Sequence, residues 1–233
     1  MKTKLAVFDI DGTIFRSQLI VELVKGLIEE GIFPKNLNEE IESEYLSWVE
    51  RRGTFVNYID KVVAVYIKNI KGVSQKDLNR AIKEIVKTEK DKIYVYTREL
   101  IKDLKKKNYC LLAISGSPYE IVSEFSKTLG FDYYFGTEFE KINRIYTGKI
   151  NTNTFSLKAD ILQSFIKKHK YKLKNSVGVG DSEVDISMLE LVNNPIAFNP
   201  SKGLAEYAKK KKWKLIVERK NVIYDLKEFK FTS

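Results

Sequence analysis

Asp9 and Asp11 stand one residue apart at the end of a short apolar run, Leu5-Ala6-Val7-Phe8, with Gly12 and Thr13 directly after them. Two carboxylates this close drive one pKa upward unless they share a proton or a hard cation sits with them. The apolar run predicts a strand buried on both faces, and the C-terminal edge of such a strand is where an open α/β sheet binds ligands. A carboxylate there is a competent nucleophile toward phosphorus, forming an acyl phosphate that water reopens. A second carboxyl group protonates the leaving oxygen and later takes a proton from that water. Asp9 and Asp11 suit those two roles. Side chains alternate along a strand, so a turn at Gly12 is what lets Asp11 swing into the same cavity.

Three further segments fall at or after the ends of predicted strands: Ser115-Gly116-Ser117, Lys158, and Gly180-Asp181-Ser182-Glu183-Val184-Asp185. Phosphoryl transfer requires charge neutralisation around the equatorial oxygens. Ser115 and the backbone N–H of Gly116, expected at a helix N-terminus, supply hydrogen-bond donors, and Lys158 supplies a point charge. Asp181 and Asp185 together with Asp9 make a hard oxygen cage suited to Mg²⁺. Taken singly, Asp-x-Asp is a common turn or cap, Ser115-Gly116-Ser117-Pro118 a turn with a helix start, and Lys158 a surface lysine. Their ordered coincidence is what points to phosphoryl chemistry. Neither acidic stretch is a calcium loop: Gly12 falls at the fourth place rather than the sixth, and Ile186 stands where the second would need glycine. Gly178-Val179-Gly180 lacks the third glycine of a dinucleotide fingerprint, and no Walker A sequence occurs.

Positioning these groups needs a sheet, and the periodicity supplies one. Residues 15–90 carry helical spacing almost throughout: Leu19 to Ile28 ending at Gly31, Ile41 to Val49 ending at Gly53, Val56 to Ile70 ending at Gly72, then Ser74 capping a helix to about Thr88. Afterwards helices and strands alternate. Helix Thr97–Lys107 leads to strand Tyr109–Ser115, helix Tyr119–Leu129, a strand over Asp132–Phe135, and a hairpin through Phe139–Ile150 with its turn at Thr147-Gly148. Helix Lys158–Lys170, strand Ser176–Val179, helix Val184–Val192, strand Pro195–Phe198, helix Ser201–Lys211 and strand Lys214–Val217 follow. This alternation predicts an α/β protein with a Rossmann-like, doubly wound parallel sheet. The core is expected over 1–14 and 91–233, with a small helical cap, 15–90, inserted after the first strand.

At 233 residues and 43% hydrophobic content, the chain is long enough for such a core plus one smaller unit. Its one cysteine, Cys110, lies in an apolar strand and is expected as a small buried hydrophobe, which excludes a disulfide framework and a thiol metal cluster and fits a reducing cytoplasm. The one histidine, His169, sits among Lys167, Lys168 and Lys170; a solvated helix end is expected, and a histidine-rich zinc site is excluded. The net charge of +10 is mostly diffuse lysine. The clusters Lys105–Lys107 and Lys209–Lys212 fall at helix C-termini, where cations favour the dipole. With no aromatic-basic motif, a nucleic-acid partner is not expected, whereas attraction to phosphorylated metabolites is compatible. Lys2 and Lys4 lead into a strand rather than a leader's apolar region, and no run approaches a membrane span.

The order Asp9-Ile10-Asp11-Gly12-Thr13, Ser115-Gly116-Ser117, Lys158, Gly180-Asp181-Ser182-Glu183-Val184-Asp185 resembles the haloacid dehalogenase superfamily, in its phosphoserine phosphatase-like branch. The resemblance extends over essentially the whole chain, including the helical insertion and Ala197-Phe198-Asn199-Pro200. It implies Asp9 as nucleophile, Asp11 as acid/base and backbone metal ligand, and Thr13, Ser115, Gly116 and Lys158 on the phosphate. Asp181 would ligate Mg²⁺ directly, with Asp185 an outer carboxylate. The implied activity is hydrolysis of a small phosphorylated metabolite through an aspartyl-phosphate, phosphoserine being the first named substrate. Two departures bear on that substrate: Gln18 stands where phosphoserine-specific members carry a glutamate for the substrate ammonium, and the second motif continues Ser117-Pro118. Arg51 and Arg52 in the insertion are candidates for a substrate carboxylate or second phosphate, with at least one expected to face solvent. Two alternatives remain open: phosphotransfer to an alcohol through the same intermediate, and a basic binding module built on the lysine clusters.

Overall fold

A computed structural model describes residues 4–226. Lys2 and residues 227–233 of the expected core lie outside the described residues.

The first strand, β1 (Lys4–Phe8), lies inside the sheet between β2 (Tyr109–Pro118) and β5 (Val177–Gly180), parallel to both. The remaining strands are β3 (Tyr133–Ile142), β4 (Ile145–Thr152), β6 (Asn194–Phe198), β7 (Lys214–Arg219) and β8 (Val222–Leu226). Among the described residues they form one eight-stranded sheet in the order β4-β3-β2-β1-β5-β6-β7-β8. Only the two edge pairs, β3 with β4 and β7 with β8, are antiparallel. The order reverses beside β1, between β2 and β5, and this switch point opens the crevice that receives a ligand.

Alternation along β1 shows why an unbroken apolar run belongs here. Leu5 and Val7 enter one core cluster while Ala6 and Phe8 enter the other, on opposite faces of the sheet. The Leu5 side is covered by α7 (Lys158–His169), α8 (Ile186–Leu189) and α9 (Lys202–Lys211) through Leu162, Met188 and Leu204. The Phe8 side packs against α5 (Val95–Lys106) and α6 (Tyr119–Thr128). Four helices lie between β1 and α5: α1 (Leu19–Glu29), α2 (Leu37–Val49), α3 (Phe55–Ile70) and α4 (Gln75–Glu89). Their apolar stripes, including Leu23, Leu27, Val62 and Leu78, belong to the same cluster as Phe8 and Phe125. Burying each such side chain fully is worth about 1.5–3 kcal/mol, so the insertion is packed onto the sheet layer and not merely tethered to it. The two chain crossings into and out of the insertion pair with each other, Arg16 N–H to the Lys92 carbonyl and Tyr94 N–H to the Ile14 carbonyl, both at 2.9 Å.

Several local expectations are corrected. The hairpin turns at Asn143-Arg144, whose φ values of 51° and 65° give two consecutive left-handed residues, and not at Thr147-Gly148. Gly148 instead lies within β4, where a Cβ would come within 3.4 Å of the Ile67 carbonyl oxygen. The strand expected at Asp132–Phe135 and the first arm of the hairpin are one element, β3. The helix expected over Val184–Val192 is a 3-10 turn at Glu183–Asp185 followed by the single-turn α8. Strand β8 was not foreseen; it pairs back onto β7 after Lys220 takes a left-handed φ of 55°. His169 ends α7 but its ring packs on Phe165 at 4.4 Å and Tyr133 at 5.0 Å, so its neighbours are aromatic as well as cationic. Cys110 is buried, as expected.

Candidate active site

Asp9 follows β1 directly, and its backbone N–H donates to the Val179 carbonyl at 2.9 Å, carrying the ladder one residue beyond the strand. The carboxylate is buried, as are Lys158 and Asp185. Lys158 opens α7 and reaches under the sheet edge, donating from Nζ to Asp9 Oδ1 at 2.5 Å and to Asp185 Oδ1 at 2.6 Å. The other oxygen of Asp185 accepts the backbone N–H groups of Asp181 and Ser182, at 3.1 and 3.0 Å, and the Ser182 hydroxyl. That leaves Asp185 fixed by four donors. A Cβ on Gly180 would fall 2.6 Å from Asp185 Cβ, so glycine is what admits the carboxylate here. Asp181 is oriented by the Thr13 hydroxyl, which donates to its Oδ1 at 3.1 Å.

Asp11 takes a different direction. Gly12 turns the chain with φ +83°, and the Asp11 carboxylate then accepts the Leu19 N–H at 2.5 Å, the Ser115 hydroxyl at 2.5 Å and the Ser117 hydroxyl at 3.0 Å. Ser117 N–H closes the arrangement by donating to Ser115 Oγ at 2.9 Å. Ser117 stands in the second motif, but no role was assigned to it from the sequence; its place two residues after Ser115 on an extended segment was the available signal. Gly116 lies inside β2, three residues before α6 begins at Tyr119, and therefore not at a helix N-terminus as expected. A Cβ on it would meet the Phe155 ring at 3.0 Å, while its carbonyl accepts the Thr137 hydroxyl. Gln18 precedes α1 in extended conformation. Arg51 and Arg52 are both exposed, and Arg52 pairs with Glu50.

Burial dominates the electrostatics. It pushes the Asp9 carboxyl up to about 7; Lys158 opposes this, and Asp185 and Asp11 add to it. Asp181 is held well above the usual carboxylate range by burial and then by Asp9 and Asp185. Asp11 is raised by burial, with its three hydrogen-bond donors limiting the shift. Burial works against the charge on Lys158, but Asp185 and Asp9 outweigh it and hold the ammonium above its ordinary pKa. Carboxylate oxygens of Asp9, Asp181 and Asp185 lie within 4.8 Å of one another. One lysine neutralises only part of their charge, and an all-oxygen donor set of this size fits a hard divalent cation. The Asp11 carboxylate is not in that group.

A family model for haloacid dehalogenase-like hydrolase matches residues 6–190, from β1 through α8. The chain belongs to this family. Its sequence relatives place this haloacid dehalogenase-like hydrolase in the phosphoserine phosphatase-like branch. Phosphoserine phosphatase of Archaeoglobus fulgidus is 30% identical over 207 residues, covering 88% of this chain and 55% of that protein. Phosphoserine phosphatase of Methanocaldococcus jannaschii is 28% identical over 209 residues, covering 89% and 90%. The chain thus spans about half the length of the first relative and nearly all of the second. Among solved structures, a Bordetella pertussis Tohama I protein of unknown function aligns with TM-score 0.73 at 20% identity, covering 92% and 98% of the two chains, which is likeness of fold. A phospho-aspartyl intermediate analogue of phosphoserine phosphatase aligns with TM-score 0.62 at 25% identity, covering 94% and 95%.

In the hydrolase, Gly12 makes the turn directly after the two aspartates. A Cβ there would fall 2.3 Å from Asp181 Oδ2, and the left-handed φ is itself unfavourable for alanine. Gly12→Ala is expected to cost at least about 1–2 kcal/mol from conformation alone and to displace Asp181. Thermal denaturation reads the first effect, and loss of divalent-cation affinity reads the second.

Proposed function

We propose that the protein is a Mg²⁺-dependent phosphomonoester hydrolase that passes through an aspartyl-phosphate on Asp9. The observation that carries this reading is the division of the two aspartates: Asp9 faces Lys158 and Asp185, and Asp11 is turned by Gly12 onto Ser115 and Ser117. A carboxylate oxygen of Asp9 forms a bond to phosphorus as the bond to the leaving oxygen breaks, and Asp11 gives that oxygen a proton. Water then attacks the phosphorus, Asp11 takes its proton, and Asp9 is released. Burial raises the Asp11 carboxyl above the usual carboxylate range, which favours the protonated acid that the first half requires. Lys158 offsets charge on the phosphoryl oxygens and on Asp9. Bound among Asp9, Asp181 and Asp185, Mg²⁺ would supply Lewis-acid neutralisation of those oxygens. Ser115 donates to Asp11 and Thr13 to Asp181, which supports assigning them, with Gly116 next to Ser115, to the phosphate. The α1–α4 insertion acts as a cap that excludes bulk water, with residues 15–90 as its extent and a cytoplasmic site of action.

Release of inorganic phosphate from a panel of phosphomonoesters with Mg²⁺, abolished by a chelator, tests the reading. No release from any ester overturns it, and a phosphorylated alcohol as main product favours phosphotransfer. Phosphoserine enters the panel because the sequence relatives are named for it.

Metal binding has a second expected signature. Asp9 and Asp181 have raised pKa values, so without a cation ionisation of Asp9 weakens the fold as pH rises toward about 7, and that of Asp181 acts in the same direction. A cation that binds the ionised carboxylates opposes this. Saturating Mg²⁺, at one hundred times its Kd, is expected to add about 2.7 kcal/mol, or about 5–10 °C in Tm. The shift should be larger at pH 8 than at pH 5.5, as read by a thermal melt with and without chelator.

A further inference from the structure

The second motif leaves the ladder of the strand that carries it. Between β2 and β3, Ile114 pairs with Phe135 and Pro118 is the next to pair, with Thr137, so Ser115, Gly116 and Ser117 stand opposite the single residue Gly136. A bulge of this kind disrupts the ladder locally and re-aims the side chains beside it. Two backbone groups in it have partners of their own. The Gly116 carbonyl accepts the Thr137 hydroxyl at 2.8 Å, and the Ser117 N–H donates to Ser115 Oγ at 2.9 Å. They are the two polar ends of one peptide unit, and in a planar trans peptide those ends point in opposite directions. Ser115 Oγ then donates to Asp11 Oδ2 at 2.5 Å. A continuous series of hydrogen bonds therefore runs from Thr137 through the Gly116–Ser117 peptide and Ser115 to Asp11. Thr137 is buried, and its hydroxyl is carried on a paired strand by a β-branched side chain that is stiff at χ1. Each donor in the series faces an acceptor, so each bond polarises the next. The bonds that fix Asp9 to Lys158 and Asp181 to Thr13 are separate from it.

We propose that Thr137 is a positioning residue of the reaction: its hydroxyl holds the Gly116–Ser117 peptide in the one orientation that keeps the Ser115 hydroxyl directed at Asp11. The inference rests on the phosphatase reading and adds to its machinery a residue that touches neither aspartate. Ser115 Oγ accepts the Ser117 N–H only while that N–H points toward it. Rotation of the peptide unit exchanges its two ends and brings the Gly116 carbonyl oxygen against Ser115 Oγ. The serine proton is then drawn to that carbonyl, and Asp11 loses a donor. Rotation in this sense also turns the negative end of the peptide dipole toward the space where an anionic phosphoryl group is to be bound, which opposes the charge stabilisation that the transfer needs. A donor fixed on the far side of the peptide, at the carbonyl, opposes both effects, and Thr137 supplies it.

Two substitutions separate the hydroxyl from the side chain that bears it. Thr137→Val keeps the branched shape and deletes the donor, whereas Thr137→Ser keeps the donor and deletes the methyl group. With a phosphomonoester that the parent protein turns over, Thr137→Val is expected to lower kcat by about tenfold with KM changed by less than about twofold, and Thr137→Ser to stay within about threefold of the parent. The Kd for Mg²⁺ should be the same in all three proteins, because the hydrogen bonds of Asp9 and Asp181 lie outside the series. In a Ser115→Ala background, Thr137→Val should change kcat by less than about twofold, since the group it acts through is gone. A Thr137→Val protein as fast as the parent, or a Thr137→Ser protein as slow as Thr137→Val, overturns the positioning role and leaves the phosphatase reading standing. A full additive loss on top of Ser115→Ala does the same, as does a fall in Mg²⁺ affinity that runs parallel to kcat, which assigns Thr137 to the general structure of the site. If the parent releases phosphate from no phosphomonoester, the phosphatase reading itself fails and the positioning role falls with it.

Discussion

Asp9→Asn is expected to lower turnover by about 10⁴-fold or more while the protein stays folded. The amide is isosteric with the carboxylate and can still accept the Lys158 ammonium, but it is no nucleophile toward phosphorus and forms no acyl phosphate. Stability should move the other way from activity. Burial and the charges of Asp185 and Asp11 hold the Asp9 carboxyl at about 7 against the pull of Lys158. A carboxyl whose folded pKa is raised contributes its stability at low pH and loses it as pH rises through the folded value. The parent protein without metal therefore weakens between about pH 4 and about pH 7, the range spanned by the free and folded pKa values of Asp9. Asp9→Asn lacks that loss, so its chelator-treated Tm at pH 8 should equal or exceed the parent's. Parallel assays of phosphate release and thermal denaturation separate the cases. A residue that only holds the site together would lose stability along with activity, and retained turnover would remove Asp9 as nucleophile.

What was legible in the sequence followed from strong local signals. The run Leu5-Ala6-Val7-Phe8 is apolar at every position because β1 is buried on both faces, so the strand, its place inside the sheet and the position of Asp9 at its C-terminal end came together. Ser74 caps α4 as expected, accepting the Asp77 N–H, because a capping serine acts through its immediate neighbours. Where a glycine served inside a strand, the local pattern misled. Thr147-Gly148 has turn composition, but Gly148 lies within β4 with a left-handed φ of 85°, and the turn is made by Asn143 and Arg144. Strand β8 pairs at a sheet edge and leaves Val222, Ile223 and Tyr224 exposed, so the alternation that marks a half-buried strand is missing from it. In the site, residue types at strand ends could be read directly, whereas orientation could not. That Ser115 and Thr13 donate to Asp11 and Asp181 is a matter of three-dimensional register between segments more than 100 residues apart.

Lys158→Met tests the other half of the charge arrangement, and its effect on stability should be the largest of any change in the site. Methionine keeps most of the buried stem, so packing is nearly preserved and the loss is the ammonium. Two buried carboxylates, Asp9 and Asp185, then lose their shared cation. Removing one partner of a buried ion pair costs about 3–5 kcal/mol, or about 6–20 °C in Tm for a protein of this size. The sign of the pH dependence identifies the cause. Lys158 is held above its ordinary pKa because Asp185 and Asp9 outweigh its burial, so it stays charged across the accessible range. Without it, the opposition to the rise in the Asp9 pKa disappears, and a still higher folded pKa means stability retained at pH 5 and lost progressively toward pH 8. The Tm deficit should therefore widen with pH, and Mg²⁺ should narrow it by neutralising the same oxygens. Turnover should still fall by about 10²–10³-fold, because a cation among the carboxylates does not replace the ammonium beside the phosphoryl group. A deficit independent of pH would instead assign the loss to packing, and would take Lys158 out of the electrostatic frame that sets Asp9 apart from Asp11.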